Sequence, residues 1–214
     1  WTDHPDHTQE DEAYNEAEVQ RAVQYAKQYP DIIKMIAVGN EAMVHWATSY
    51  FVPPSVILKW VNYLQELKRK GDLPSDLWIT SSDDFAAWGG ASGNYHTEDL
   101  NRLIAAVDFV SMHTYAFHNS HYSPDYWYSR DPSLSKIEQI DASMQRAGEF
   151  AIGQYNDVKQ YILSLGIDKP IHIGETGWAT ASNGFYGAEG SQAADEYKSK
   201  KYYDFLRKWS NENG

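Results

Sequence analysis

The sequence predicts an α/β fold. Helical and strand segments alternate along it in the order αβαβαβαβα. Each stretch between strands is long enough for a right-handed crossover to a parallel neighbour. Each apolar strand run is also followed by a short polar cluster. Two architectures share these features, an open doubly wound sheet and part of a barrel.

The first helix is expected over 9–29. Thr8 and Asp11 make a capping signature, Val19, Ala22, Val23 and Ala26 recur at helical spacing, and Pro30 stops it. The run Ile32–Val38, closed by Gly39, predicts a buried strand. A helix follows Pro53-Pro54-Ser55, with Val56, Ile57, Trp60, Val61, Leu64 and Leu67 on one face and Gly71 beyond its end. Leu77–Ser81 is the second strand, Thr97–Ala105 a short helix and Ala106–Met112 the third strand. Residues 117–133 form a polar, aromatic loop. Ser135 and Glu138 then open a helix running to about 165 as a capping box. Pro170–Gly174 is the fourth strand, and a last helix spans about 191–209.

The chain has 214 residues and reads as one domain, 1–214, without repeats or linkers. It has no cysteine, which excludes disulfides, thiol nucleophiles and thiolate metal sites. A net charge of −12 argues against nucleic acid and anionic membrane surfaces, and no apolar run approaches the length of a membrane span. The chain opens Trp1-Thr2-Asp3-His4-Pro5, without a basic or apolar leader. Aromatic residues make up 14% of an otherwise polar chain with a mean hydropathy of −0.62. Tyr and Trp join an apolar face to a polar handle, which suits a neutral, hydroxyl-rich ligand such as a polysaccharide as well as it suits a Tyr-rich surface.

In either α/β architecture, function gathers at the carboxyl ends of strands. Gly39-Asn40-Glu41 follows the first strand, Ser81-Ser82-Asp83-Asp84 the second, His113-Thr114-Tyr115 the third, and Gly174-Glu175-Thr176-Gly177-Trp178 the fourth. A glutamate at the mouth of an apolar strand costs desolvation energy unless it has a partner or a purpose. Two of them, Glu41 and Glu175, each preceded within two residues by glycine, point to paired-carboxylate chemistry such as glycoside hydrolysis.

Val38-Gly39-Asn40-Glu41 and Ile173-Gly174-Glu175-Thr176-Gly177-Trp178 resemble the two signatures of glycoside hydrolase family 17, which contains β-1,3-glucanases. The resemblance implies a (β/α)8 TIM-type barrel of which strands four to seven are readable, so that the chain is expected to be a fragment of a longer barrel. It implies a retaining mechanism with Glu41 as acid/base and Glu175 as nucleophile. Asn40 would hold the sugar 2-hydroxyl and Tyr115 would orient the nucleophile. The family's strand-six pattern Asn-x-Tyr-Pro stands here as His113-Thr114-Tyr115-Ala116, which makes His113 a sugar contact in place of Asn. Asp83, Trp88 and Trp178 complete the expected substrate-binding set. No metal or organic cofactor is needed. His113, His118 and His121 with Asp125 match no ligand spacing, and Gly89–Gly93 lacks the lysine of a phosphate loop. The aromatic loop residues Phe117, Tyr122, Tyr126, Trp127 and Tyr128 are expected to wall a subsite.

The expected function is therefore retaining hydrolysis of β-glucan. Transglycosylation by the same pair is the near alternative, and a non-catalytic carbohydrate-binding module the distant one. Partners are β-glucan chains, with association through exposed sheet edges if the half-barrel stands alone. Such substrates are met outside the cytoplasm, so the expected location is extracellular, cell-surface or periplasmic.

Overall fold

A computed structural model describes residues 9–91, 93–123, 131–186 and 193–213. The elements are α1 (Gln9–Gln28), β1 (Met35–Asn40), α2 (Pro54–Arg69), β2 (Trp78–Asp84), α3 (Glu98–Ala106), β3 (Val110–His113), α4 (Asn119–Tyr122), α5 (Lys136–Ser164), β4 (Ile171–Glu175) and α6 (Glu196–Asn213). The chain folds as two compact units, one of residues 1–113 and 156–174, the other of residues 114–155 and 175–214.

The first unit is built on the sheet, whose strand order is β1-β2-β3-β4. β1 pairs β2 and β2 pairs β3 in parallel. The amide of Val110 donates to the Pro170 carbonyl at 2.9 Å at the start of β4. A doubly wound sheet reverses its strand order at a switch point. This sheet never does, which is the order found in an arc of a barrel. Its helix-facing side is closed by α2 and α3. Ile57, Trp60, Val61 and Leu64 of α2 and Leu100, Leu103 and Ile104 of α3 are buried with Ile79, Phe109, Val110 and Met112. Each such side chain is worth about 1.5–3 kcal/mol on burial. Thr97 caps α3, its hydroxyl accepting from the Leu100 amide at 3.2 Å.

Strand limits differ from the sequence expectation for identifiable reasons. β1 starts at Met35, not Ile32, because the Tyr29 carbonyl accepts from the amides of both Ile32 and Ile33, holding them in a turn. Ile32 is accordingly exposed. β3 starts at Val110, four residues later than expected. The Asp108 carboxylate accepts from the Ile79 amide and the Lys68 ammonium, both at 2.7 Å, instead of pointing out from a regular strand. β2 runs on to Asp84, because Ser82, Asp83 and Asp84 pair with Ser111, Met112 and His113.

Between Ala37 and Asn40 the β1–β2 register shifts, so one extra residue is accommodated in β1. Such a bulge re-aims the side chains after it. Pairing resumes with the Glu41 amide donating to the Ser82 carbonyl at 2.9 Å.

The first unit also accounts for the glycine-rich run. Gly89 has φ +89, and a Cβ there would lie 2.1 Å from Cδ1 of Tyr161, whose hydroxyl donates to Asn101 at 2.6 Å. That glycine is a packing requirement.

The second unit has its own core of Phe117, Met144, Ala147, Ala151, Trp178, Ala193 and Tyr202. The expected capping box of α5 is present. The Ser135 amide donates to the Glu138 carboxylate at 2.8 Å, and the Glu138 amide to the Ser135 hydroxyl at 3.4 Å. The proposed cap of α1 at Thr8 and the loop aromatics Tyr126, Trp127 and Tyr128, with Asp125, lie outside the described residues.

Candidate active site

In the first unit, Glu41 is the residue immediately after β1. Its φ is +45, the only positive value among the described non-glycine residues. A branched or long side chain in the left-handed region is strained by about 1–2 kcal/mol, and such strain collects at functional positions. The Glu41 side chain is 39% exposed. Its Oε1 lies 3.0 Å from Nδ1 of His113, which is only 1% exposed. A buried ring thus fixes the orientation of a carboxyl that faces solvent.

Gly174 lies beside that ring on β4. A Cβ there would lie 2.3 Å from the Ser111 hydroxyl and 3.4 Å from Cδ2 of His113. The glycine of the second motif therefore makes room for the Ser111 hydroxyl between β4 and β3, while the His113 ring would lie at ordinary contact distance.

Two aspartates end β2 with opposite surroundings. Asp83 is fully buried. Its carboxylate accepts from the amides of Met43 and Asp84, each at 2.9 Å. Burial nevertheless wins over these bonds and pushes its pKa up to about 7. Asp84 is half-buried and accepts from the Ala86 amide at 2.8 Å. Burial raises its pKa to about 6; the Ala86 bond and the neighbouring His113 oppose the rise, and the charge of Glu41 adds to it.

In the second unit, Glu175 ends β4. Its Oε2 accepts from the Tyr115 hydroxyl at 3.0 Å, and its carbonyl accepts from the Thr114 amide at 3.0 Å. Tyr115 stacks on His118 at 4.8 Å between ring centroids, and His118 on Tyr186 at 4.3 Å. His121 stacks on Phe185 at 3.7 Å, beside the exposed Tyr122.

The expected substrate-binding residues divide sharply. Asn40 is exposed at the end of β1, and Tyr115 is half-buried against Glu175. The other four, Asp83, Trp88, His113 and Trp178, are buried. Trp88 has no exposed surface, and its indole N–H donates to the Ser111 carbonyl at 2.9 Å. Trp178 packs against Phe117 and Tyr202, and its N–H donates to the Ala193 carbonyl at 2.9 Å. Asp83 secures the loop after β1 through Met43, and His113 serves Glu41. The sequence expectation names Asp83 and not Asp84; side chains alternate along a strand, so the two face opposite sides of β2, which runs to Asp84.

No family model and no curated protein matches the chain. It is similar to a solved structure, an endo-laminarinase from Formosa Hel1_33_131, with 59% sequence identity and a TM-score of 0.88. The match covers 92% of this chain and 50% of that one, so the chain spans about half the length of its solved neighbour.

Proposed function

We propose that the chain carries the catalytic carboxyl pair of a retaining β-1,3-glucan hydrolase. The observation that carries this is the matched holding of two strand-end glutamates: Glu41 by the imidazole of His113, and Glu175 by the hydroxyl of Tyr115. The likeness to an endo-laminarinase supplies the substrate class, laminarin being a β-1,3-glucan. The unreversed strand order supports strands four to seven of a (β/α)8 barrel of the family 17 type.

In this mechanism Glu41 starts protonated. It delivers its proton to the glycosidic oxygen as Glu175 attacks the anomeric carbon, and the leaving sugar departs with its oxygen protonated. Glu41, now a carboxylate, takes a proton from water, which displaces Glu175 and regenerates both groups. Two inversions restore the β-configuration. The Tyr115 hydroxyl donates to Oε2 of Glu175 at 3.0 Å and so orients the carboxyl for attack. In this reading Asn40, exposed at the end of β1, binds the sugar 2-hydroxyl. We place the activity outside the cytoplasm, where such glucans are met, and propose that the open edges of the sheet take part in association.

The test is turnover of laminarin by the purified chain, with product anomers followed by proton NMR beside Glu175→Gln. The β-anomer should appear first, and Glu175→Gln should abolish turnover while circular dichroism stays unchanged. Initial release of the α-anomer, or activity that survives Glu175→Gln, would overturn the assignment. Products longer than the substrate would identify transglycosylation by the same pair.

A further inference from the structure

The first unit holds a cavity that the carboxyl pair does not use. Its volume is about 240 Å3, and it is lined by residues of the segment after β1 and of the segment joining β2 to α3. Met43, two residues beyond Glu41, and Ala87, three beyond Asp84, both line it. The cavity therefore opens at the carboxyl end of the sheet, the end that carries Glu41. Three aromatic rings form its wall. The imidazole of His45 stacks on the Tyr95 ring, with 4.0 Å between centroids and 11° between planes. Phe51 meets the same imidazole edge-on at 5.1 Å. All three rings are half-buried, so each keeps open surface. They are also fixed in place: the His45 amide donates to the Tyr95 hydroxyl at 3.0 Å, and the Met43 amide to the Asp83 carboxylate at 2.9 Å.

Polar groups stand among the rings. Asn94 is exposed, and Asp99 is half-buried in the first turn of α3. Arg102 reaches one Asp99 oxygen only at 3.5 Å, which leaves the carboxylate most of its capacity to accept from hydroxyl groups. Flat rings beside an amide and a carboxylate suit a sugar, whose C–H face lies on a ring while its hydroxyls bond in plane. Asp99 is the one acidic side chain lining the cavity, and no lysine or arginine is among the described residues that line it. That charge pattern disfavours phosphates and uronic acids. Drug-sized ligands fill about 300–1,000 Å3, so this cavity takes one pyranose ring and leaves the rest of a chain outside.

We propose that the cavity is a subsite for one glucosyl residue of a β-1,3-glucan chain. His45 and Tyr95 are its stacking platform, and Asn94 and Asp99 its hydroxyl partners. The proposal rests on β-1,3-glucan being the substrate. The ring bound here is not the one that becomes attached to Glu175, so the subsite acts on binding and not on the reacting bond.

The experiment titrates laminaripentaose into the Glu175→Gln chain, which leaves the oligosaccharide intact, and follows the His45 ring by proton–carbon-13 NMR. The signal is assigned by its loss in His45→Gln. The ring protons of His45 lie in the ring current of Tyr95 and should shift to a plateau as the cavity fills. By calorimetry, Tyr95→Ala should raise Kd about tenfold. Asn94→Ala and Asp99→Asn should each raise it about threefold to tenfold, and these two carry the test should Tyr95→Ala lose its circular dichroism spectrum. Made in the parent chain, the same variants should raise KM on laminarin by matching factors with kcat within about twofold, the mark of binding shared by ground and transition states. A fall confined to kcat, an unmoved His45 signal, or an unchanged Kd in the folded variants overturns the proposal, whatever the parent chain does to laminarin. A His45 shift with pentaose but no turnover of laminarin by the parent chain supports the subsite and overturns the hydrolase assignment instead.

Discussion

Asp83→Asn offers the sharpest test of the electrostatics behind β1. Asp83 is fully buried, and its pKa stands at about 7 in the folded chain against an ordinary value of 3.8. A carboxyl raised on folding binds its proton more tightly in the native state. Its contribution to stability is therefore fully present below pH 3.8 and is lost as pH rises, until the folded form has titrated near pH 7. The whole loss is about 4 kcal/mol at about 1.4 kcal/mol per pH unit, and about 3 kcal/mol of it falls between pH 5 and pH 9. Asparagine cannot ionise, so the variant lacks this slope. It places an amide NH2 against one of the two backbone N–H groups, at a cost of about 1–3 kcal/mol. Urea unfolding followed by tryptophan fluorescence at pH 5 and at pH 9 measures both effects. The variant should be the less stable at pH 5, and its deficit should shrink or reverse at pH 9. Asp84 titrates in both proteins, and its charge contributes less than burial to the rise at Asp83, so most of its effect cancels in the comparison. Parallel stability curves across this range would refute the claim that burial, rather than the two amides, governs Asp83.

Two further predictions concern packing and the second unit. Gly89→Ala sets a Cβ into the Tyr161 ring at φ +89, and should cost about 3 kcal/mol or more from backbone strain and overpacking together. A urea midpoint within about 0.3 M of the parent would count against it. Tyr115→Phe removes the hydroxyl that reaches Glu175, and a hydrogen bond to a charge is worth about 1.5–3 kcal/mol. Turnover should fall roughly tenfold to a hundredfold with KM little changed, and a change confined to KM would recast Tyr115 as a substrate contact.

The helices were legible because their signals are local. The Ser135–Glu138 capping box, Pro54 at the start of α2 and the apolar face of α2 each depend on residues within a few turns. The two glutamates were legible because a charged residue at the end of an apolar strand is conspicuous in any α/β chain. The phase of β2 was not. Whether Asp83 or Asp84 looks toward Glu41 depends on how far the strand runs, and that is set by pairing with β3, 29 residues away in sequence. The burial of the tryptophans was not legible for a different reason. An indole suits a sugar and a core equally, and the N–H of Trp88 and of Trp178 each donates to a backbone carbonyl. The contact of His113 with Glu41 was not legible either, because the two are 72 residues apart in sequence and meet only once β1 and β3 are both in the sheet.

The backbone at position 41 carries a wider meaning for the history of such chains. A glutamate held at φ +45 is a choice that folding by itself would not make, since glycine or asparagine would sit there with less strain. Glu175, in the extended backbone of β4, is under no such tension. On the proposed function, copies released from the demand to cleave glycosidic bonds would therefore decay unevenly. Drift would carry position 41 toward glycine while leaving position 175 free to wander without direction. Among descendants, a glycine at 41 would mark the lineages that kept the scaffold and gave up the chemistry.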